Sequence, residues 1–252
     1  MTAMRATIPM TAGNRILDRL SNGDRAALLA RASRVVLLPG DHLGEAGQPA
    51  RAVYFPLSGF ATLLLPGAGR PALGLGLVGK EGMIGAMFDR GDAAGPLAIV
   101  VHGEGFAWRV PALDFAQVLA RSARLRRGVG QSLNATIAQL AGTMGCMRFH
   151  AIEARLACWL LLAGAHAPGE VLHFTHQQLA DLLGVQRGAV TLAAGALQRR
   201  RLIHYVRGTI TILASRALED AACECCRPAL TVAARAAAAA LPSARKRRPE
   251  SR

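Results

Sequence analysis

The sequence predicts an α+β fold: a strand-rich N-terminal half, one long helix, and a small C-terminal unit of short helices closed by a β-hairpin. Three observations predict it. Between residues 34 and 110, short apolar runs alternate with Gly and Pro, a pattern of antiparallel strands in a sandwich or barrel. After Pro111 the apolar period becomes helical. Between residues 174 and 213, two short amphipathic stretches flank Gly184 and lead into two β-prone runs.

The N-terminal half reads in order as follows. Residues 14–31 form a helical region with Asn14 as its cap and Ile16, Leu17, Leu20, Leu28 and Leu29 on one side. Ser21-Asn22-Gly23 divides it. The strands are Val35–Leu38, Ala52–Phe55, Phe60–Leu65, Leu73–Val78, Leu97–Val101 and Phe106–Val110. Their connections contain Pro39-Gly40-Asp41, Pro56, Pro66-Gly67 and Gly79-Lys80, residues that preset φ or tolerate positive φ. Pro111 suits the first position of the next helix.

A long helix is expected from about Ser122 to Met147. Leu125, Val129, Leu133, Thr136, Leu140, Met144 and Met147 recur every three or four residues and form one continuous stripe. So long and narrow a stripe between two compact regions suits the seam of a homodimer. The Arg121, Arg124, Arg126 and Arg127 cluster at its start reads as a solvated face. Residues 150–165 form another amphipathic helix, with Ile152, Leu156, Trp159, Leu160 and Ala163 on one face and Ala167-Pro168-Gly169 after it.

In the C-terminal unit, Thr175 caps a helix whose apolar face is Leu179, Leu182 and Leu183. Gly184 follows where the chain must turn sharply. The next helix begins near Gln186 and turns Val190, Ala193, Ala194 and Leu197 inward. Leu202-Ile203 and Thr209–Leu213 are strands joined at Arg207-Gly208. Two helices around a tight turn followed by a hairpin make a winged helix-turn-helix, which places its second helix in the DNA major groove.

Composition narrows the classes. The 252 residues are 52% hydrophobic and 18% charged, enough for a sizeable core and incompatible with a disordered polyelectrolyte. The longest apolar run, Leu156 to Ala165, falls short of the roughly 18 residues that a membrane span needs. Met1 to Leu20 lacks the apolar stretch of a signal peptide, and the five cysteines do not form a spaced disulfide framework. A cytoplasmic protein without a membrane partner is expected. The formal net charge is +14. Residues 227–252, Ala-rich and then basic, hold 7 basic and 1 acidic residue and read as a disordered tail. Residues 166–226 are nearly balanced, with 6 basic and 5 acidic, so arginine placement matters there more than net charge.

Thr175-His-Gln-Gln-Leu-Ala-Asp-Leu-Leu-Gly-Val-Gln-Arg187 and Leu202-Ile-His-Tyr-Val-Arg-Gly-Thr-Ile-Thr-Ile-Leu213 resemble the DNA-binding domain of the Crp/Fnr family of bacterial transcription regulators. The order of a β-rich front, a long helix and a winged helix agrees over about residues 30–226. The resemblance implies a jelly-roll-like β-roll of the cyclic-nucleotide-binding type as a sensor domain over 1–120 and a dimerisation helix over 121–149. It implies a DNA-binding domain over 150–226, with the tail at 227–252. The partners it implies are double-stranded DNA, a second copy of the chain and RNA polymerase.

Carried over by position, Thr175, His176 and Gln177 would contact the DNA backbone. The recognition helix would present Gln186, Arg187, Gly188, Thr191 and Leu192. Arg187 matches the family's base-reading arginine, whose guanidinium can bond guanine O6 and N7 together. Gly188 stands where the family often has Glu, and Leu192 where it has a further Arg, so the half-site should differ from the family's usual one. His204 and Arg207 in the wing lie within reach of a phosphate or are simply exposed.

The family's nucleotide-binding segment falls on Gly82, Met83, Ile84 and Gly85. Met83 replaces the carboxylate that accepts a ribose hydroxyl, and no arginine stands near Gly95-Pro96-Leu97-Ala98 to pair with a cyclic phosphate. The pocket is expected to be degenerate, with Met83, Ile84, Met87 and Phe88 in an apolar core or altered pocket. Lys80 and Glu81 are expected in a solvated turn. No cofactor is expected and the effector is unknown. Cys223, Cys225 and Cys226 are spaced to hold a soft metal or form a redox pair, but no nearby Cys-x-x-Cys or His-x-His completes a zinc site; packing of a final helix is the simpler reading, and no metal is assigned. The sequence shows no Gly-x-Ser-x-Gly, Walker or His-Glu-x-x-His motif, so no enzyme is expected. The alternative is a non-DNA scaffold or small-molecule-binding protein that uses the winged helix as a protein interface.

Overall fold

A computed structural model describes residues 13–85, 94–167, 171–227 and 230–231. Met87, Phe88, Arg90, Pro168, Gly169 and the basic end of the tail lie outside the described residues.

The chain opens with α1 (Arg15–Asp18) and α2 (Asn22–Leu29). Asn14 is the α1 cap that the sequence predicts: its Oδ1 accepts from the N–H of Ile16 at 3.0 Å. Its Nδ2 also donates to the carbonyls of Pro56 and Gly82 at 3.0 and 2.9 Å. A single fully buried amide thus ties α1 to two turns of the β domain.

Two antiparallel sheets follow. One contains β1 (Ser33–Leu37), β3 (Ala52–Pro56) and β7 (Gly105–Pro111) in the order β1-β7-β3. The other contains β2 (His42–Gly44), β4 (Phe60–Gly67), β5 (Arg70–Val78) and β6 (Ala98–Gly103) in the order β2-β6-β4-β5. The fold is the α+β one expected. The short β2 carries no apolar run and was not legible. Pro111 does not begin a helix: at φ −55° and ψ 142° it closes β7 and is the cap before α3 (Ala112–Arg121).

The long helix α4 spans Ala123–Phe149, and the Ser122 hydroxyl caps it by accepting from the Leu125 N–H at 3.0 Å. Arg126, exposed as expected of its cluster, donates to the last carbonyls of α3 at Leu119 and Ala120. One expectation for α4 needs correction. Leu125 is fully buried and Val129 nearly so, both in one cluster with Ile16, Leu17, Phe55 and Phe115 of the same chain. They cannot serve a dimer seam. The predicted stripe runs along the border between the inward face of α4 and its free face. The free face carries Gly130, Asn134, Ile137, Ala141, Met144 and Arg148, and Ile137 and Met144 are 62% and 70% exposed.

The C-terminal unit comprises α5 (Ile152–Gly164), β8 (Val171–His173), α6 (His176–Leu183), α7 (Arg187–Arg199), β9 (Ile203–Val206), β10 (Thr209–Ile212) and α8 (Ser215–Ala221). A 3-10 turn, Glu224–Cys226, follows. β8 was not foreseen. It pairs with β10, placing Leu172 opposite Ile210, and makes the wing a three-stranded sheet in the order β8-β10-β9.

The two halves share a core. Phe60, Leu64 and Leu77 of the β domain belong to the same buried cluster as Trp159, Leu160, Phe174, Leu182 and Leu218. The edge strand β5 is where they meet. α4 covers its backbone: Gln139 Oε1 accepts from the Leu77 N–H at 3.2 Å, and the Thr143 hydroxyl donates to the Leu75 carbonyl at 2.8 Å. An exposed strand edge is thereby blunted. Gly74 lets α5 and α6 lie directly on the strand, because a Cβ there would sit 2.8 Å from Trp159 and 3.1 Å from the Leu182 carbonyl oxygen. His102 on β6 stacks on Phe174 with ring centroids 5.6 Å apart, and its burial lowers its pKa.

Gly74→Ala should therefore wedge the joint and cost about 1–3 kcal/mol, as overpacking does. Urea unfolding followed by tryptophan fluorescence measures it. An unchanged midpoint would show that the joint gives way freely.

Candidate nucleic-acid interface

The exposed surface of the C-terminal unit is built from α6 outward. Thr175 and Gln178 form a reciprocal capping box: the Thr175 hydroxyl accepts from the Gln178 N–H at 3.1 Å, and Gln178 Oε1 accepts from the Thr175 N–H at 2.8 Å. Leu179, Ala180, Leu182 and Leu183 are buried beneath it. Gly184 ends the helix at φ 64° and ψ 41°, the left-handed geometry expected of it. α7 then starts at Arg187, with Gln186 in the cap position but making no side-chain capping bond. Val190, Ala193, Ala194 and Leu197 turn inward as predicted.

This leaves Gln186, Arg187, Gly188, Thr191 and Leu192 exposed on the outer side of α7, and Thr175 and Gln177 exposed at the start of α6. The Arg187 side chain makes no hydrogen bond or ion pair among the described residues. A Cβ at Gly188 would meet nothing within 4 Å, so backbone and open space flank Arg187. Leu192 is 76% exposed, an apolar group suited to the methyl of thymine. Gln177 is engaged by Asp181, to whose Oδ1 its Nε2 donates at 2.8 Å.

His176 departs from its expected role. The Thr191 hydroxyl donates to the Arg187 carbonyl at 3.0 Å, so it accepts from His176 Nδ1 at 2.9 Å. His176 Nε2 is buried without a hydrogen-bond partner among the described residues, and the ring stacks on Tyr205 at 4.2 Å between centroids. Neither nitrogen faces outward to meet a phosphate. Instead the ring braces α6 against α7 and the wing. Thr191 likewise spends its hydroxyl on this brace, leaving its methyl for outside contact. Tyr205 and Gln198 were missed by sequence reasoning. Gln198 Oε1 accepts from the Tyr205 N–H at 2.8 Å and pins β9 to α7, a contact that no local periodicity signals.

At the wing tip, Arg207 adopts φ 46° and Gly208 φ 85°, the positive pair of a tight hairpin turn. Arg207 and His204 are exposed. Arg200 is taken by Glu153 at 2.7 Å.

The segment expected to form a nucleotide pocket is mostly core. Met83 is buried with Ile16 and Phe55, and Ile84 pairs by a short antiparallel bridge with Tyr54. Gly85, at φ 96°, presses on the backbone of Ala52 and Val53. Gly82 borders a cavity of about 240 Å³ between β5, α1, α4 and α5. Arg15, Glu81, Gln131, Ser132, Gln139 and His166 also line it. Glu81 is not in a solvated turn: its side chain is 13% exposed, with Oε1 accepting from the Gly79 N–H and Oε2 lying 3.5 Å from His166.

With this geometry in view, residues 154–221 match the family model of the Crp-like helix-turn-helix domain. The C-terminal unit is a Crp-like helix-turn-helix domain. About three quarters of the chain shares its fold with solved Crp/Fnr structures of low sequence identity. A Crp/Fnr-family transcriptional regulator from Thermus thermophilus is 24% identical, with a TM-score of 0.61 over 75% of this chain and 98% of that one. FixK2 from Bradyrhizobium japonicum is 13% identical, with a TM-score of 0.63 over 76% and 98%. The c-di-GMP-responsive global regulator CLP of Xanthomonas campestris is 19% identical, with a TM-score of 0.61 over 76% and 99%. No curated protein matches the chain in sequence. No helix among the described residues is long and apolar enough to cross a membrane.

The brace makes the helix-turn-helix sensitive to acid. Burial, and secondarily the charge of Arg187, lower the pKa of His176 from its ordinary 6.5. The unfolded chain therefore binds this proton more readily than the folded one. Stability should be full above the unfolded value and fall as pH drops through it. His176→Phe, which keeps an aromatic ring on Tyr205, should flatten that part of the dependence of the urea midpoint on pH. An unaltered slope between pH ~7 and ~5 would place the titration elsewhere.

Proposed function

We propose that the chain is a cytoplasmic, sequence-specific DNA-binding transcription regulator that binds an inverted-repeat operator as a homodimer. The observation that carries this reading is Arg187: a guanidinium without a partner among the described residues, on the first turn of an exposed, braced helix in a Crp-like domain. Such a helix enters the major groove with its N-terminal residues at the base edges. Thr175 and Gln177 lie where phosphate contacts set register, and Arg207 adds a charge at the wing. Gly188 and Leu192 contribute shape and an apolar contact rather than further hydrogen bonds.

The free face of α4 supports the dimer. Gly130, Asn134, Ile137, Ala141, Met144 and Arg148 are separated alternately by four and three residues, the spacing of a two-helix seam. Leu133, Leu140 and Met147 flank it, and Thr136 lies farther round. A Cβ at Gly130 or Gly145 would meet nothing in the same chain, which permits a second helix to approach closely. Two-fold symmetry then presents two copies of α7 about one turn of DNA apart.

The β domain supports a degenerate nucleotide pocket. Met83 is buried where the family resemblance places a carboxylate. The reading assigns no effector. RNA polymerase is the further partner that transcription regulation implies.

Genomic fragments retained by the purified chain at near-physiological salt, without added nucleotide, should be enriched in one inverted repeat. Absence of enrichment both with and without a metabolite extract would reject sequence-specific binding. On the enriched site, Arg187→Ala should cost about 1–3 kcal/mol of discrimination at one base position per half-site. A loss equal on all sequences would make Arg187 a phosphate contact instead. Ile137→Asp with Met144→Asp should convert the dimer to monomer in sedimentation equilibrium. An intact dimer would reject the α4 seam.

A further inference from the structure

The chain has five cysteines, and the fold brings all five to one place. Cys146 lies near the end of α4, Cys158 in α5, and Cys223, Cys225 and Cys226 around the 3-10 turn after α8. All are free thiols, and all but Cys225 are buried. The sequence places three of them together but offers no local partner. The partner arrives from α4, where His150 caps the helix one turn after Cys146.

The Sγ atoms of Cys146 and Cys223 are 3.2 Å apart. That is too far for a disulfide, at about 2.05 Å. It is slightly closer than the ~3.8 Å between two thiolates on a tetrahedral ion with metal–sulfur bonds of about 2.3 Å. The ligand atoms of Cys146, His150 and Cys223 all lie within 4.8 Å of one another. Cys225 Sγ is 3.6 Å from His150 Nδ1. Glu224 Oε1 lies 3.5 Å from the other ring nitrogen, Nε2. A carboxylate on the far nitrogen is what orients a metal-binding histidine and fixes its tautomer. Of the other two thiols, Cys226 Sγ donates to the Cys223 carbonyl at 3.1 Å, and Cys158 is buried in α5.

We propose that Cys146, His150, Cys223 and Cys225 form a zinc site, with His150 binding through Nδ1 and Glu224 holding Nε2. Three thiolates and an imidazole are a donor set that selects zinc over hard cations. Packing of small apolar side chains accounts for buried sulfur, but not for an imidazole turned toward it with a carboxylate behind. Binding releases one proton from each ligating thiol and closes the coordination shell, as in structural zinc sites. The ion would cross-link the end of α4 to the segment beyond the winged helix. This assignment is independent of DNA binding.

The test uses the full chain, purified without oxygen and with a reductant, loaded with zinc and desalted. Atomic emission should find about one zinc per chain. Competition with a chromophoric chelator should show at least a tenfold loss of affinity for Cys146→Ser and for Cys223→Ser. Glu224→Gln should weaken binding about tenfold, and Cys158→Ala should retain the ion. Cobalt(II) added to the zinc-free wild type should give thiolate-to-metal charge transfer and the intense visible bands of a tetrahedral ion, so the outcome does not depend on any variant folding. No zinc above background, zinc kept equally by both serine variants, or a cobalt spectrum without thiolate charge transfer would each overturn the proposal.

Discussion

The packing of strand β5 against α5 and α6 is the contact on which the rest of the structure depends. β5 is an edge strand, and its unpaired backbone groups need partners. Gln139 and Thr143 of α4 supply them. With that edge satisfied, the strand offers an almost bare backbone at Gly74, and Trp159 and Leu182 close over it. The position of α6 follows from this contact, the position of α7 follows from α6, and the exposure of Arg187 follows from α7. The exposed face of α7 is therefore set by apolar packing on the far side of α6.

Much of this was legible in the sequence. The caps at Asn14 and Thr175, the left-handed Gly184 and the Arg207-Gly208 turn are local features, and a few neighbouring residues decide each. The six longer strands could be read because Gly and Pro mark their ends. β2 and β8 could not, since His42–Gly44 and Val171–His173 are too short to show a period and owe their state to partners elsewhere. The face of α4 was misread for a related reason. A helical period shows which residues share a side but not what lies on it. Leu125 and Val129 look the same in sequence as Ile137 and Met144, yet α1, β3 and α3 take the first pair.

The candidate site divides along the same line. The exposure of Arg187, Gly188 and Leu192 was legible because the turn before the second helix fixes which side of it faces out. His176 sits at the expected place, but its ring is turned inward as a brace. Its partner Tyr205 comes from the wing, and the two rings meet only after the hairpin folds back. The same holds for Glu81, which a Gly-Lys-Glu-Gly stretch presents as a solvated turn. In the structure His166, from beyond α5, closes over it. The cysteine cluster is the extreme case, because Cys146 and Cys223, 77 residues apart in sequence, approach to 3.2 Å.

The shared core has a consequence for how the molecule comes apart. Two domains joined by a flexible tether melt separately, each with its own enthalpy. Here Phe60 and Leu77 share a buried cluster with Trp159 and Leu218, so apolar packing runs from one half into the other. Removing either half would lay bare the aromatic and aliphatic surface of the other. The heat-capacity peak for unfolding should thus belong to both halves together, as one cooperative unit.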